Sequence, residues 1–273
     1  MPRVVLVTGC TTGGIGFVLC EEFALQGCKV YASSRNVATI ADFKHPNIDK
    51  IAIDVTNDDS VQNGIEHIVQ AEGHLDVVVN NAGVITAGPL IDQPLDAVKH
   101  VFDTNTFAIL RVARAVIPVM AARRNGVIVN IGSIVGEVAT PWNGVYCASK
   151  AAVLSLSEVL WIECKPFNIS VVHVAPGAIK SNFSANGANH FTLPPNTLYS
   201  NFLPNILQRI HASQGSNRMP TEAFAKEVVS KTLRPNPPRY MTIGGHSRLF
   251  SLFKWLPRSW VLLRLWQFYS KKL

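Results

Sequence analysis

Val4-Val5-Leu6-Val7-Thr8-Gly9-Cys10-Thr11-Thr12-Gly13-Gly14-Ile15-Gly16 stands near the start of the 273-residue chain. The first five residues are apolar or β-branched, the composition of a strand buried on both faces of a parallel sheet. Phe17 to Gln26 then has helical spacing and few breakers. Strand, glycine turn, helix is the context in which a glycine-rich loop holds a dinucleotide, because the turn lets backbone N–H groups approach a pyrophosphate at the helix N-terminus. The doubled Gly13-Gly14 leaves open which of the two faces the phosphates.

Further strand-like runs follow at 28–32, 51–53, 75–79, 126–131 and 169–175, separated by helix-length stretches, with a short seventh at Tyr240-Met241-Thr242-Ile243. This alternation predicts an α/β fold: a single Rossmann-type, doubly wound parallel sheet of about seven strands flanked by helices. With 48% hydrophobic residues and no linker or repeat before about residue 240, one core is expected. The expected division is a catalytic domain over 1–245, with a substrate cover over about 181–219, and an amphipathic helical tail over 246–273.

The second strand ends in Ser33-Ser34-Arg35, where an NAD-binding unit usually carries an acid to hold the ribose 2′-hydroxyl, and no acid comes before Asp42. Hydroxyls and a guanidinium suit a 2′-phosphate, which a carboxylate would repel. The expected cofactor is NADP(H).

Tyr146 and Lys150 lie four apart in Tyr146-Cys147-Ala148-Ser149-Lys150, with Ser133 thirteen residues before the tyrosine. Residues four apart share one helix face. An adjacent ammonium lowers a phenol's pKa, and a shift of about three units, roughly 4 kcal/mol, would bring it into working range for a general acid. A serine hydroxyl supplied from a strand end could hold a carbonyl oxygen against that phenol.

These residues, with Asp54-Val55, Asn80-Asn81-Ala82-Gly83, Asn105 and Pro176-Gly177 in this order, resemble the short-chain dehydrogenases/reductases over roughly residues 4–185. The resemblance implies catalytic roles for Asn105, Ser133, Tyr146 and Lys150: Ser133 orients the carbonyl, Tyr146 exchanges the proton, and Asn105 holds a water linking Lys150 to solvent. It implies a nucleotide site formed by Gly9, Thr11, Thr12, Gly13, Gly14, Ile15 and Gly16 in the turn, Ser34 and Arg35 after the second strand, and Asp54 and Val55 at the adenine. Asn81, Ala82, Gly83, Tyr146, Lys150, Pro176, Gly177, Ile179 and Ser181 complete it. The doubled glycine, Ala32-Ser33-Ser34-Arg35-Asn36 and the basic apolar tail are similar in style to the fungal NADPH-dependent 1-acyldihydroxyacetone-phosphate reductases. That implies reduction of 1-acyldihydroxyacetone phosphate to lysophosphatidic acid; the same carbonyl reduction on a steroid, terpenoid or polyketide ketone is the alternative. A nucleotide sensor without activity would let the four catalytic positions erode, whereas all are present. The resemblance also implies a homodimer or homotetramer, formed through the helices at 107–120 and 146–163.

The net charge of +7 is uneven. Residues 1–227 hold 16 Lys or Arg and all 18 acids, whereas 228–273 hold nine basic residues and no acid. The tail is also rich in Trp, Phe and Leu, with Arg264, Gln267 and Lys271 on one stripe of its second piece. Neither piece offers the roughly 20 apolar residues of a bilayer span. Two uses fit: a helix lying in a lipid interface, on a lipid droplet or the cytoplasmic face of the endoplasmic reticulum, or a lid folded over the substrate cleft. Strand signals begin at residue 4, so no signal segment is expected and the cytoplasmic side is. No nucleic-acid module is present. Five cysteines without a Cys-x-x-Cys pair predict reduced thiols, and the histidines show no metal-ligand spacing, so no metal is expected. His173, in an apolar run, reads as a satisfied core residue. The apolar residues between 181 and 219, with Trp142 and Val145, suit a hydrophobic small-molecule ketone; Lys180, Arg209 and Arg218 are cations available to a substrate phosphate.

Overall fold

β1 (Val4–Thr8) is buried at every position because both its faces are covered. Val5 and Val7 point to one layer, where Leu19 and Phe23 of α1 (Ile15–Leu25) meet Phe224 and Val228 from a later helix. Val4 and Leu6 point to the other, packed with Ile65, Ile68, Val112 and Val153. A side-chain period of two inside a sheet with helices on both sides makes every residue apolar. The computed structural model describes residues 1–183, 191–212, 215 and 217–271. The expected cover at 184–190, 213–214 and 216 lies outside the described residues.

The sheet has seven parallel strands in the order β3-β2-β1-β4-β5-β6-β7: β2 (Lys29–Ser34), β3 (Ile48–Ala52), β4 (Val77–Asn80), β5 (Gly126–Ile131), β6 (Ile169–Pro176) and β7 (Tyr240–Ile243). The chain reverses its direction of winding between β1 and β4, so a crevice opens at the carboxyl ends of these strands. β3 begins at Ile48, before the expected 51–53. It is an edge strand paired only with β2, so Asp49 and Lys50 can sit within it and the continuous apolar signal is lost.

α2 (Asp58–Glu72) starts where the Asn57 side chain accepts from Ser60 N at 2.8 Å and ends at Gly73 in the left-handed region. α3 (Leu95–Phe102) runs through one wide turn, Asp103–Phe107, into α4 (Ala108–Arg123). α5 (Ile134–Glu137) is a single turn against α6 (Gly144–Glu163), where Gly136 lies too close to the Lys150 backbone to carry a side chain. By length and composition Leu95–Arg123 and α6 could cross a membrane, but Val112, Val116 and Val153 tie both into the core. α7 (Leu203–His211) and α8 (Thr221–Thr232) precede β7.

The tail forms α9 (Ser247–Phe253) and α10 (Arg258–Tyr269), and both fold back onto the body. Phe250, Val261 and Leu265 are buried against Ile134, Val138 and Tyr146. Lys254 Nζ lies 3.1 Å from the Glu137 carboxylate, Arg258 Nη1 donates to Glu137 O at 2.9 Å, and Trp142 Nε1 donates to Tyr269 O at 3.3 Å. Of the two uses open to the tail, the lid geometry is the one seen. Only one stripe is covered: Trp255, Trp260, Leu262, Leu263, Trp266 and Phe268 stay exposed.

All five cysteines are buried thiols. His173 corrects an expectation: it is buried on β6 against Gly132, yet neither ring nitrogen has a hydrogen-bond partner among the described residues. Burial, then the charges of Lys150 and Lys254, pulls its pKa from 6.5 to about 4. Between those two pH values the unfolded chain binds a proton that the folded protein refuses, so stability falls as pH drops from 6.5 to about 4. His173→Leu should remove up to roughly 3 kcal/mol of this acid sensitivity, read as a shallower fall in the urea midpoint across that window. An unchanged slope would refute the assignment.

Candidate active site

The glycine turn after β1 builds one wall of a crevice of about 370 Å³ at the carboxyl ends of the central strands. Gly9 has a φ of 72° and its Cβ would stand 2.7 Å from Ala82 Cα, so no side chain fits. Asn81 fastens this approach, its Nδ2 donating to Thr8 O at 2.8 Å and Gly9 O at 3.0 Å, while Thr8 Oγ1 accepts from the backbone N–H of Asn81 and Ala82, each at 3.0 Å. The doubled glycine resolves into two tasks. Gly14 faces the crevice; Gly13 has a φ of 78°, lies against the Asn182 side chain, and accepts from Asn182 N at 3.2 Å through its carbonyl. Gly16 also faces away, tucked under Gly9 O and the Asn81 amide, where a Cβ would collide. Every other residue expected around the nucleotide lines the crevice.

Ser34 and Arg35 lie at one end of it. Ser34 Oγ is 3.1 Å from Thr39 Oγ1, and the turn at Val37–Thr39 is tied back to the glycine loop by Thr12 N to Thr39 O at 3.1 Å. Asp42, the first acid past β2, pairs with Lys50 at 2.8 Å. The Asp54 carboxylate accepts from Thr56 Oγ1 at 2.7 Å and Thr56 N at 2.9 Å, which hold its pKa below the usual range, helped by the Arg35 charge. These residues fit a dinucleotide, and hydroxyl with guanidinium at the ribose end suits a phosphorylated one.

At the other end α6 presents Tyr146 and Lys150 one turn apart. Lys150 is buried, with Nζ donating to Ile131 O at 2.7 Å. Burial pulls its pKa from 10.5 to about 8. Tyr146 departs from the helical-spacing expectation. Burial pushes its phenol above the ordinary range, and the contact that opposes this is the Ser133 hydroxyl, followed by the charge of Arg209. The Lys150 ammonium, engaged by the Ile131 carbonyl, stands 5.8 Å from the phenol's ring centroid. Ser133, extended just after β5, caps α5 by accepting from Val135 N at 3.3 Å.

Asn105 lies outside the crevice lining, inside the wide turn between α3 and α4. Both its amide hydrogens are engaged, to Val84 O at 2.9 Å and Ser149 Oγ at 3.0 Å, and Oδ1 accepts from Val84 N at 2.8 Å. A Cβ at Gly83 would stand 3.3 Å from Asn105 Oδ1 and 3.6 Å from Lys150 Nζ, so both polar atoms face the space that Gly83 leaves.

A second, apolar chamber of about 620 Å³ meets the crevice at Ser133, Tyr146, Pro176, Gly177 and Phe183. Trp142 and Arg209 line it from the body, and Phe250, Leu265 and Tyr269 from the tail. Lys180 and Arg218 line neither cavity. The contributions of Ile131, Asn182 and the tail had no local sequence signal: one acts through a backbone carbonyl, the others through a long-range approach.

A family model described as short chain dehydrogenase matches residues 3–190. The chain is 35% identical over 236 residues to a short-chain dehydrogenase of Penicillium crustosum, covering 85% of this chain and 84% of that protein. It is 32% identical to the 3-ketodihydrosphingosine reductase of Bacteroides thetaiotaomicron over 98% of each chain. With the NADPH-dependent 1-acyldihydroxyacetone phosphate reductase of Schizosaccharomyces pombe it shares 31% identity over 92% of this chain and 82% of that one. A short-chain dehydrogenase structure from Streptomyces avermitilis superposes with a TM-score of 0.83 at 26% identity, covering 99% and 97% of the two chains. A gluconate 5-dehydrogenase structure from Burkholderia cenocepacia, in complex with NADP and tartrate, gives 0.62 at 29% identity over 67% and 73%.

Proposed function

The chain belongs to the short-chain dehydrogenase family, and from that premise we propose that it reduces the ketone of a hydrophobic substrate to a secondary alcohol with NADPH. One observation carries this reading: two hydroxyls, Ser133 and Tyr146, stand on the wall shared by a nucleotide-shaped crevice and an apolar chamber. NADPH, held by the glycine turn, Ser34, Arg35 and Asn81 along the crevice, would supply a hydride to the carbonyl carbon. Ser133 donates a hydrogen bond to the carbonyl oxygen and Tyr146 gives it a proton as negative charge develops there. A phenol raised by burial is fully protonated at neutral pH, and the alkoxide it faces is a far stronger base, so transfer runs toward the alcohol. Lys150, charged below its pKa of about 8, stabilises the phenolate left behind. A water in the space that Gly83 leaves would join Lys150 Nζ to Asn105 Oδ1 and return the proton.

The substrate we infer is 1-acyldihydroxyacetone phosphate, reduced to lysophosphatidic acid; similarity to the Schizosaccharomyces pombe reductase and room for an acyl chain support it. A steroid, terpenoid or polyketide ketone is the second reading, favoured by the aromatic side chains of Trp142, Phe183, Phe250 and Phe253 on the chamber wall. The uncovered Trp and Leu residues of α9 and α10, within a 228–273 segment that holds nine basic residues and no acid, suit peripheral attachment to an anionic lipid surface, on a lipid droplet or the cytoplasmic face of the endoplasmic reticulum. Exposed Phe107, Leu110, Val159 and Ile162 on or beside α4 and α6 suit pairing with another copy, as a homodimer or homotetramer.

Tyr146→Phe should lower kcat/KM for ketone reduction by about 100-fold or more while NADPH still quenches protein fluorescence; retained turnover would reject Tyr146 as proton donor. Ser34→Asp combined with Arg35→Ala should move the preference from NADPH toward NADH by about 10- to 100-fold, read from paired kcat/KM values. An unmoved ratio places the 2′-phosphate elsewhere. In flotation with vesicles, the protein should rise with phosphatidylserine-containing membranes and much less with purely zwitterionic ones, and Trp255→Ser with Leu263→Ser should weaken this. Equal behaviour on both vesicle types argues against an electrostatic surface role.

A further inference from the structure

Among the described residues Arg209 has no counter-ion, and it stands on the wall of a largely apolar chamber. It projects from α7, whose Ile206 and Ile210 pack with Trp142. Its Nε and Nη2 donate to Thr140 Oγ1 at 3.2 and 3.0 Å. With the Asn143 amide turned so that both its ends are satisfied, its oxygen accepts from Nη2 at 2.5 Å. The Tyr269 ring lies 5.7 Å from the guanidinium carbon. These partners are all neutral. Among the described residues no carboxylate pairs with Arg209, and its Nη1 group has no hydrogen-bond partner.

The chamber has one electrostatic sign. None of its described lining residues is Asp or Glu, and the other ionisable groups facing it are Arg264, His246 and the phenols of Tyr146 and Tyr269. Thr140, Asn143 and Tyr146 lie within seven residues of sequence at the start of α6, so the guanidinium is braced on the segment that also delivers the phenol. The electrostatic reach agrees: the Arg209 charge opposes the burial that raises both the Tyr146 phenol and the Cys147 thiol. A guanidinium half-buried among apolar groups is worth its desolvation when an anion completes it, and its fork suits phosphate or carboxylate oxygens.

We propose that the chamber selects ketones carrying an anionic head group, phosphate or carboxylate, through Arg209, and rejects ketones carrying an ammonium. This rests on the reductase reading and names the substrate class within it. The apolar remainder of the molecule lies against Phe250, Leu265 and Phe268 of the tail. A sphingoid ketone, which carries an ammonium, meets a like charge here despite the chain's similarity to a 3-ketodihydrosphingosine reductase.

Calorimetry below the micellar range, with dodecyl phosphate, dodecanoate, dodecanol and dodecylammonium as probes, tests this without turnover. The full-length protein should bind dodecyl phosphate or dodecanoate about 30-fold tighter than dodecanol, and dodecylammonium more weakly still. The stronger of the two anions tells phosphate from carboxylate. Arg209→Gln, which keeps an N–H for Thr140, should erase the preference and leave dodecanol affinity unchanged; Arg209→Lys should keep part of it. Equal affinities for the anion and the alcohol, or tight binding of the ammonium, overturn the proposal on the unmodified protein alone, even if the variants do not fold. Equal losses for anion and alcohol in Arg209→Gln assign the residue a bracing role instead. Failure of every ketone to oxidise NADPH would sink the reductase reading and leave the binding result standing.

Discussion

Lys150 is buried beneath the crevice with its ammonium on the Ile131 carbonyl, 2.7 Å away, and no carboxylate beside it among the described residues. Desolvation pulls the pKa of such a group down, here to about 8, so it is still charged near neutrality. That one hydrogen bond ties the start of α6 to the end of β5. It sets Tyr146 on the edge of the crevice and draws Gly136 and α5 against the helix. Ser133 lies two residues beyond the carbonyl that holds the lysine, so the two hydroxyls and the cation are positioned by a single strand end.

The phenol and the lysine therefore do not form the simple pair that their spacing suggests. Each is shifted by burial in the direction that favours its neutral form: the phenol upward, the ammonium downward. A protonated phenol beside a cation that is still charged at neutral pH is suited to giving a proton to a strong base, and then to bearing the charge that remains. Asn105 stands behind this arrangement, with its amide hydrogens on Val84 and Ser149 and its oxygen toward the Gly83 space.

The tail completes the chamber and changes its character. Glu137 carries one of the few deeply buried carboxylates, and Lys254 meets it from α9, so a basic tail is anchored by an acid of the body. Its apolar arc is wider than the groove it covers. One stripe closes over the chamber, and the rest, including Trp255 and Trp260, remains on the surface. The same segment therefore closes one side of the chamber and leaves an apolar face on the surface.

The periodicity of apolar runs was enough to predict the parallel sheet and the nucleotide turn, since a strand covered on both faces must be apolar throughout and a turn against a pyrophosphate must lack side chains. Val4–Thr8, Gly9 and the missing acid after Ser34 were legible for that reason. β3 was misplaced because an edge strand obeys no such rule, and His173 was misjudged because an apolar run says nothing about whether its one polar residue finds a partner. Whether Gly13 or Gly14 faces the crevice, whether the tail folds back, and which cation enters the chamber were open from the residues alone. Only tertiary structure decided them: Asn182, Glu137 and Thr140 lie far along the chain from Gly13, Lys254 and Arg209, and local patterning carries no information about contacts made across such separations.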